Sequence, residues 1–214
     1  MIKPKLTICL VLFVLLSGCT HRVVMDPNIS PTAAIARALD LRVGLYIPDE
    51  VRDFAISDSE DIDKYVFQIG ESLVSIISQS TSRVFTKVDV LHSQPTDAAL
   101  AEQGLDLAII PRVLAARVSL DTEEGLFQDE ARGTTSISVE LTCYDREMIM
   151  RTTVVANGVG NASQRKGLFS GSLFGGAKEE YAVSVENALS SLSNDLVRQI
   201  YGNYDIRQME ETSD

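Results

Sequence analysis

The chain has 214 residues, 45% of them apolar and 23% charged, enough to enclose one sizeable core or two small ones, which argues against wholesale disorder. Nineteen basic residues face 30 acidic ones, a formal charge of −11, and this removes the attraction on which nucleic-acid binding mainly rests. With two histidines, three cysteines and no tryptophan, most metal-binding and nucleophilic constellations cannot be assembled.

The first segment reads as an address. Lys3 and Lys5, an apolar run from Leu6 to Leu16, and then Ser17, Gly18 and Cys19 follow the layout of a secretory signal covering residues 1–18. The run is about 11 residues long, whereas a membrane-spanning helix needs roughly 20. Leu16-Ser17-Gly18-Cys19 resembles the lipobox of bacterial lipoproteins. The resemblance implies that Cys19 is diacylated on sulfur, becomes the first residue of the mature chain and is acylated on nitrogen. Thr20 stands where an inner-membrane retention signal would carry aspartate, which implies the outer membrane, with the domain facing the periplasm. Two or three acyl chains, at about 0.8 kcal/mol per buried methylene, attach the chain for good. The covalent lipid on Cys19 is the one non-protein group expected. Loss of Lys3 and Lys5 leaves 17 basic against 30 acidic residues, a charge of −13, so membrane contact should run through the lipid and not through a basic face. Cys9 leaves with the signal and Cys19 carries lipid, so Cys143 is expected as a lone, buried, inert thiol.

Residues 19–40 read as a lipidated N-terminus and tether interrupted by Pro27 and Pro31, with Ser30-Pro31 suited to start a short helix through Leu39. As a flexible chain it would span about 25 Å. Leu41, Val43, Leu45 and Ile47 alternate as a strand that Pro48-Asp49 stops. Beyond an acidic loop at 57–63, Val66, Ile69, Leu73, Ile76, Ile77, Ser80 and Val84 fall on one helical stripe. Val84 to Leu91 reads as a short strand, and Pro95 to Gln103 as a short helix ended by Gly104. Leu105 to Leu120 is a long strand in which Pro111 demands a bulge or an edge. Gly133 to Tyr144 and Met148 to Gly158 form a hairpin around Asp145 to Glu147. Ile137, Val139, Leu141 and Cys143 share one face of it, and Ser136, Ser138, Glu140 and Thr142 the other. Asn161 to Ala177 reads as a glycine- and serine-rich loop. Lys178 to Tyr201 then forms a second long helix with Val185, Leu189, Leu192, Leu196 and Ile200 on one stripe. Residues 203–214 read as a polar tail.

These elements predict one α+β domain over 41–202, a two-layer sandwich with a mainly antiparallel sheet and two long amphipathic helices on one face. The order of elements, the lipobox and the closing alanine- and leucine-patterned helix resemble small envelope lipoproteins with a TolB-N-terminal-like or YajG-like core. That group includes auxiliary lipoproteins of transport and polysaccharide-export machines.

Candidate chemistry is sparse. Gly171-Ser172-Leu173-Phe174-Gly175-Gly176-Ala177-Lys178 fails as a phosphate loop, because Ala177 separates glycine from lysine and Glu179 replaces the hydroxyl. Within the same loop Leu168, Phe169, Leu173 and Phe174 are large apolar residues among glycines, beside Arg165 and Lys166, and are candidates for partner contact or for folding back onto the core. His92 near Asp89 lacks a nearby nucleophile or metal partner. The acidic stretches around 49–63 and 121–130 lack a calcium-loop register and read as solvated loops. The expectation is therefore a non-catalytic outer-membrane lipoprotein without metal or cofactor, an accessory or assembly subunit of an envelope transport, secretion or polysaccharide-export complex. Its expected partners are the membrane, an envelope protein complex and, through the half-polar sheet or the Phe169/Phe174 loop, a second copy of itself. A regulator that activates a cell-wall synthase or binds a ligand is the alternative, and an envelope hydrolase the third.

Overall fold

The computed structural model describes residues 20–25, 29–57, 64–123, 128–167 and 177–212. In chain order the elements are β1 (Thr20–Val24), β2 (Leu39–Tyr46), α1 (Asp49–Arg52), β3 (Ala55–Ser57), β4 (Lys64–Gln68), α2 (Gly70–Val84), β5 (Phe85–Leu91), α3 (Asp97–Gln103), β6 (Leu107–Glu123), β7 (Gln128–Asp145), β8 (Met150–Gly167), α4 (Ala177–Gly202) and α5 (Tyr204–Thr212). The fold is α+β, as the pattern of periods predicts. A five-stranded sheet has the order β5-β2-β6-β7-β8, and β1-β4-β3 form a second, three-stranded sheet. The larger sheet is mixed. Its long half, β6 to β8, is antiparallel, and β2 runs parallel to both β5 and β6. The parallel half follows from the strand–helix–strand order of β2, α2 and β5, since the crossover helix returns the chain to the same end of the sheet.

One face of this sheet carries the core. Leu41, Val43 and Leu45 of β2, Ile137, Val139, Leu141 and Cys143 of β7, and Val154 and Ala156 of β8 meet Leu73, Ile76 and Ile77 of α2 and the predicted stripe of α4 in one continuous cluster. The other face holds a small second cluster of Leu91, Leu100, Leu105 and Ala108 under α3. Helix α3 ends as expected at Gly104, which takes φ 62°, and at its start the Thr96 side chain accepts from the Ala99 N–H. Pro111 pairs in register with Leu141 on one side, while β2 partners β6 only as far as Ile109, so the ladder on its other side has already ended. A register shift follows between Val113 and Ala115.

Four expectations are corrected. The helix expected from Val66 starts at Gly70; Tyr65, Val66 and Phe67, aromatic and β-branched, instead pair with β1 and β3 as a strand. Asn161 to Gly167, read as a loop, continues β8 in register against Gln128 to Thr134. Residues 204–212, read as part of a frayed tail, form α5, whose Ile206 is buried and whose start is capped by Asn203, the Oδ1 of which accepts from the Ile206 N–H. Glu210 of α5 accepts from the Asp40 N–H at 2.9 Å and pairs with Arg37, clamping the entry to β2.

The fourth correction concerns the tether. Thr20 to Val24 are paired strand, and residues 29–35 are not the start of a helix but extended chain strapped across α2 and α4. Asn194 Oδ1 on α4 accepts from the backbone N–H groups of Thr32 (2.8 Å) and Ala33 (2.7 Å) and from the Thr32 hydroxyl. Arg83 of α2 donates to the Ala33 carbonyl, and the Ser30 hydroxyl to Gln79. The N–H groups that a local helix would leave unpaired in its first turn are satisfied by tertiary partners, so the helix loses its advantage. Replacing Asn194 with alanine should cost about 2 kcal/mol, the penalty for orphaning donors at a part-buried site. Chemical unfolding together with faster proteolysis between residues 29 and 38 would check this.

Candidate functional site

The β7–β8 turn is built by one side chain. Asp145 Oδ1 accepts from the N–H groups of Glu147 and Ile149, both at 2.9 Å, which folds the loop back on itself and leaves Met148 at φ 58°. Asp145 Oδ2 accepts from Arg151 Nε at 2.6 Å. Partial burial pushes the Asp145 carboxyl up, but the Ile149 N–H, the Arg151 guanidinium and the Glu147 N–H outweigh it and hold the group below its ordinary value. A lowered carboxyl stabilises the fold fully above the unfolded value, near 3.9, and loses that contribution as pH falls through the folded value. Asp145→Ala should therefore cost about 2 kcal/mol at neutral pH, with the gap to the parent chain narrowing below about pH 4. Unfolding curves of both proteins at pH 7 and pH 3 would show it.

Beside this turn lies an open cleft of about 850 Å³, lined by Asp106, Asp145, Arg146, Glu147, Arg151, Asp205, Gln208 and Met209. The start of β6, the β7–β8 turn and α5 form its walls. Asp106 is held from two sides: its carboxylate accepts from the Arg42 N–H at 3.0 Å and pairs with Arg146. Arg146 also donates to the Leu105 carbonyl at 3.1 Å. Four carboxylates thus face two arginines, both arginines being paired with carboxylates. Ile149, Met150 and Tyr204 are large exposed apolar side chains on the turn and at the start of α5.

The residues singled out from sequence do not meet here. Cys19, Leu168, Phe169, Leu173 and Phe174 lie outside the described residues. Asp89 pairs with Lys87 at 3.4 Å, and His92 is exposed in the loop after β5. Cys143 is buried in the main core, and desolvation pushes its thiol up to about 12, which fits the inert thiol expected of it. Among the described residues no three His, Cys, Asp or Glu side chains gather as a metal site. Sequence reading assigned Asp145 to Glu147 to the turn but passed over Asp106, Arg146, Arg151 and Asp205 as chemistry. The legible signal was the aspartate opening the turn with an arginine six residues on. What joins them to Asp205 is α5, whose apolar Ile206 and Met209 stand three apart.

No family model and no curated protein matches this chain. Solved structures similar to it include a minor lipoprotein from Acinetobacter baumannii, with 12% identity, TM-score 0.39, and coverage of 78% of this chain and 95% of that one. A hypothetical protein from Chlamydia trachomatis has 11% identity, TM-score 0.42, and coverage of 76% and 96%. A protein described as a neuraminyllactose-binding hemagglutinin homologue from Helicobacter pylori has 10% identity, TM-score 0.43, and coverage of 89% and 98%. With TM-scores below 0.5, none of these likenesses bears on the reading below. Among the described residues no helix is long and apolar enough to cross a membrane.

Proposed function

We propose that this chain is an outer-membrane lipoprotein, attached by acyl chains on Cys19, that works by binding and not by catalysis, as an accessory or assembly subunit of an envelope transport, secretion or polysaccharide-export complex. The observation that carries the reading is the sequence Leu16-Ser17-Gly18-Cys19 behind a basic and apolar leader, placed directly before a folded body that starts at Thr20. The chemistry of the cleft supports a binding role. General acid–base catalysis at neutral pH needs a carboxyl or imidazole poised near 7, whereas Asp145 is held low by the N–H groups of its turn and by Arg151. Such fixed, mutually paired charges suit recognition of a polar partner surface. Metabolic labelling with palmitate is expected to mark the wild-type product and to fail on Cys19→Ser. Equal labelling of both, or of neither, would overturn the anchored reading.

A further inference from the structure

We infer that the cleft between the β7–β8 turn and α5 receives a basic segment of a partner protein, a lysine or arginine entering among the carboxylates while an apolar neighbour packs on Ile149, Met150 and Tyr204. The inference rests on the binding role proposed above and names the chemistry of what is bound; it does not depend on the lipid. Its apolar half is a patch left in water. Ile149, Met150 and Tyr204 are 49%, 59% and 69% exposed, and all three lie within two residues of a side chain that lines the cleft. Two hydrogen bonds bring them to one mouth. Asn203, just before α5, donates from Nδ2 to Thr152 Oγ1 at 3.3 Å, and Met150 shares that face of β8 two residues back. Gln208, which lines the cleft, donates to the Tyr204 hydroxyl at 2.6 Å and ties the phenol to the cleft wall. Large apolar side chains gathered beside a concave opening are what a partner covers.

Charge then selects the partner. Four carboxylates, Asp106, Asp145, Glu147 and Asp205, line the cleft against two arginines. Arg146 is occupied by Asp106 and the Leu105 carbonyl, and Arg151 by Asp145. Glu147 and Asp205 are exposed, and among the described residues no ion pair reaches either of them. An anion could be held here only by breaking an arginine pair, whereas a cation meets two carboxylates without a counterion. The acidic excess of the whole chain draws cations toward it in the same sense. The volume of about 850 Å³ suits a short segment and not a folded surface. A peptide fits the apolar rim better than a polyamine does, because it presents a cation and an apolar side chain on neighbouring residues.

The test pans a random heptapeptide library on the full chain in non-ionic detergent and titrates a synthetic copy of the most enriched peptide. Sequences with lysine or arginine beside a large apolar residue are expected. Their binding should weaken about tenfold in Glu147→Gln/Asp205→Asn, and about tenfold again in Ile149→Ser/Tyr204→Ser. All four side chains are exposed, so these variants keep the fold. Glu71→Gln/Glu186→Gln, on α2 and α4, makes the same change in net charge outside the cleft and should leave binding unchanged. Equal weakening by that control pair, or competition by spermidine as effective as the peptide itself, would reduce the effect to bulk charge and overturn the inference. Enrichment of acidic or uncharged sequences would overturn it and leave a binding role standing. No enrichment at all would overturn both the inference and the use of this cleft for binding.

Discussion

Replacing Gly160 with alanine is expected to lower the unfolding free energy by about 3 kcal/mol or more, among the largest losses that a single added methyl can produce. A Cβ at this position would lie 1.9 Å from the Ser184 carbonyl oxygen and 2.3 Å from the Ala188 nitrogen, both backbone atoms of α4 that cannot rotate away. The helix would have to lift off β8, breaking the buried hydroxyl pair of Thr135 and Ser184 and opening space around Val185 and Leu189. The buried face of β8 tapers along its length, from Val154 through Ala156 to Gly158 and Gly160, and α4 answers with Ser184 and Ala188 where the two backbones come closest. Gly202, at the far end of the same helix, has nothing within 4 Å of where a Cβ would stand, so Gly202→Ala should be neutral or stabilising by up to about 1 kcal/mol. Denaturant midpoints of the two variants, measured side by side, decide the matter; similar midpoints would contradict the close-approach account.

Phe67→Ala should cost about 3–5 kcal/mol, with the loss concentrated on the small sheet. Phe67 is fully buried, sits between Val23 of β1 and Ile56 of β3 in register, and packs 5.8 Å from the Tyr181 ring. Removing its ring leaves a cavity at the point where the three-stranded sheet is fastened to α4, so β1 should detach before the core melts. Faster hydrogen exchange over residues 20–24 than over β7 would show this; uniform acceleration across the chain would refute it. The half-buried Tyr65, two residues closer to the start of β4, should cost clearly less when truncated.

The lessons of the two residues differ. Gly160 falls between the strand expected to Gly158 and the loop expected from Asn161, because glycine, serine and asparagine around 157–163 carry turn chemistry, and only the pairing with β7 makes them a strand. Phe67 and Val66 were placed on a helix because Val66, Ile69 and Leu73 happen to fall at helical spacing; a five-residue strand butted against a helix is too short for period alone to separate. The tether failed for a related reason. The proline, alanines and hydroxyls at 30–35 have no periodicity, and what orders them is Asn194, which stands 162 positions from Thr32. The cleft was illegible in the same sense, since Asp106, Asp145 and Asp205 are each ordinary surface carboxylates until three separate elements bring them to one end of the sheet.

What the sequence settled by itself was whatever depends on local period or on covalent order. The stripes of α2 and α4, the alternation of β2 and β7 and the burial of Cys143 follow from which face of an element must leave water, and the stop of α3 at Gly104 from that residue's freedom at positive φ. Tertiary structure alone decided the second sheet, the strap and α5. Each of these is marginal in isolation, a strand of three to five residues, an extended segment or a short polar helix, and gains its free energy only from partners far away in the chain.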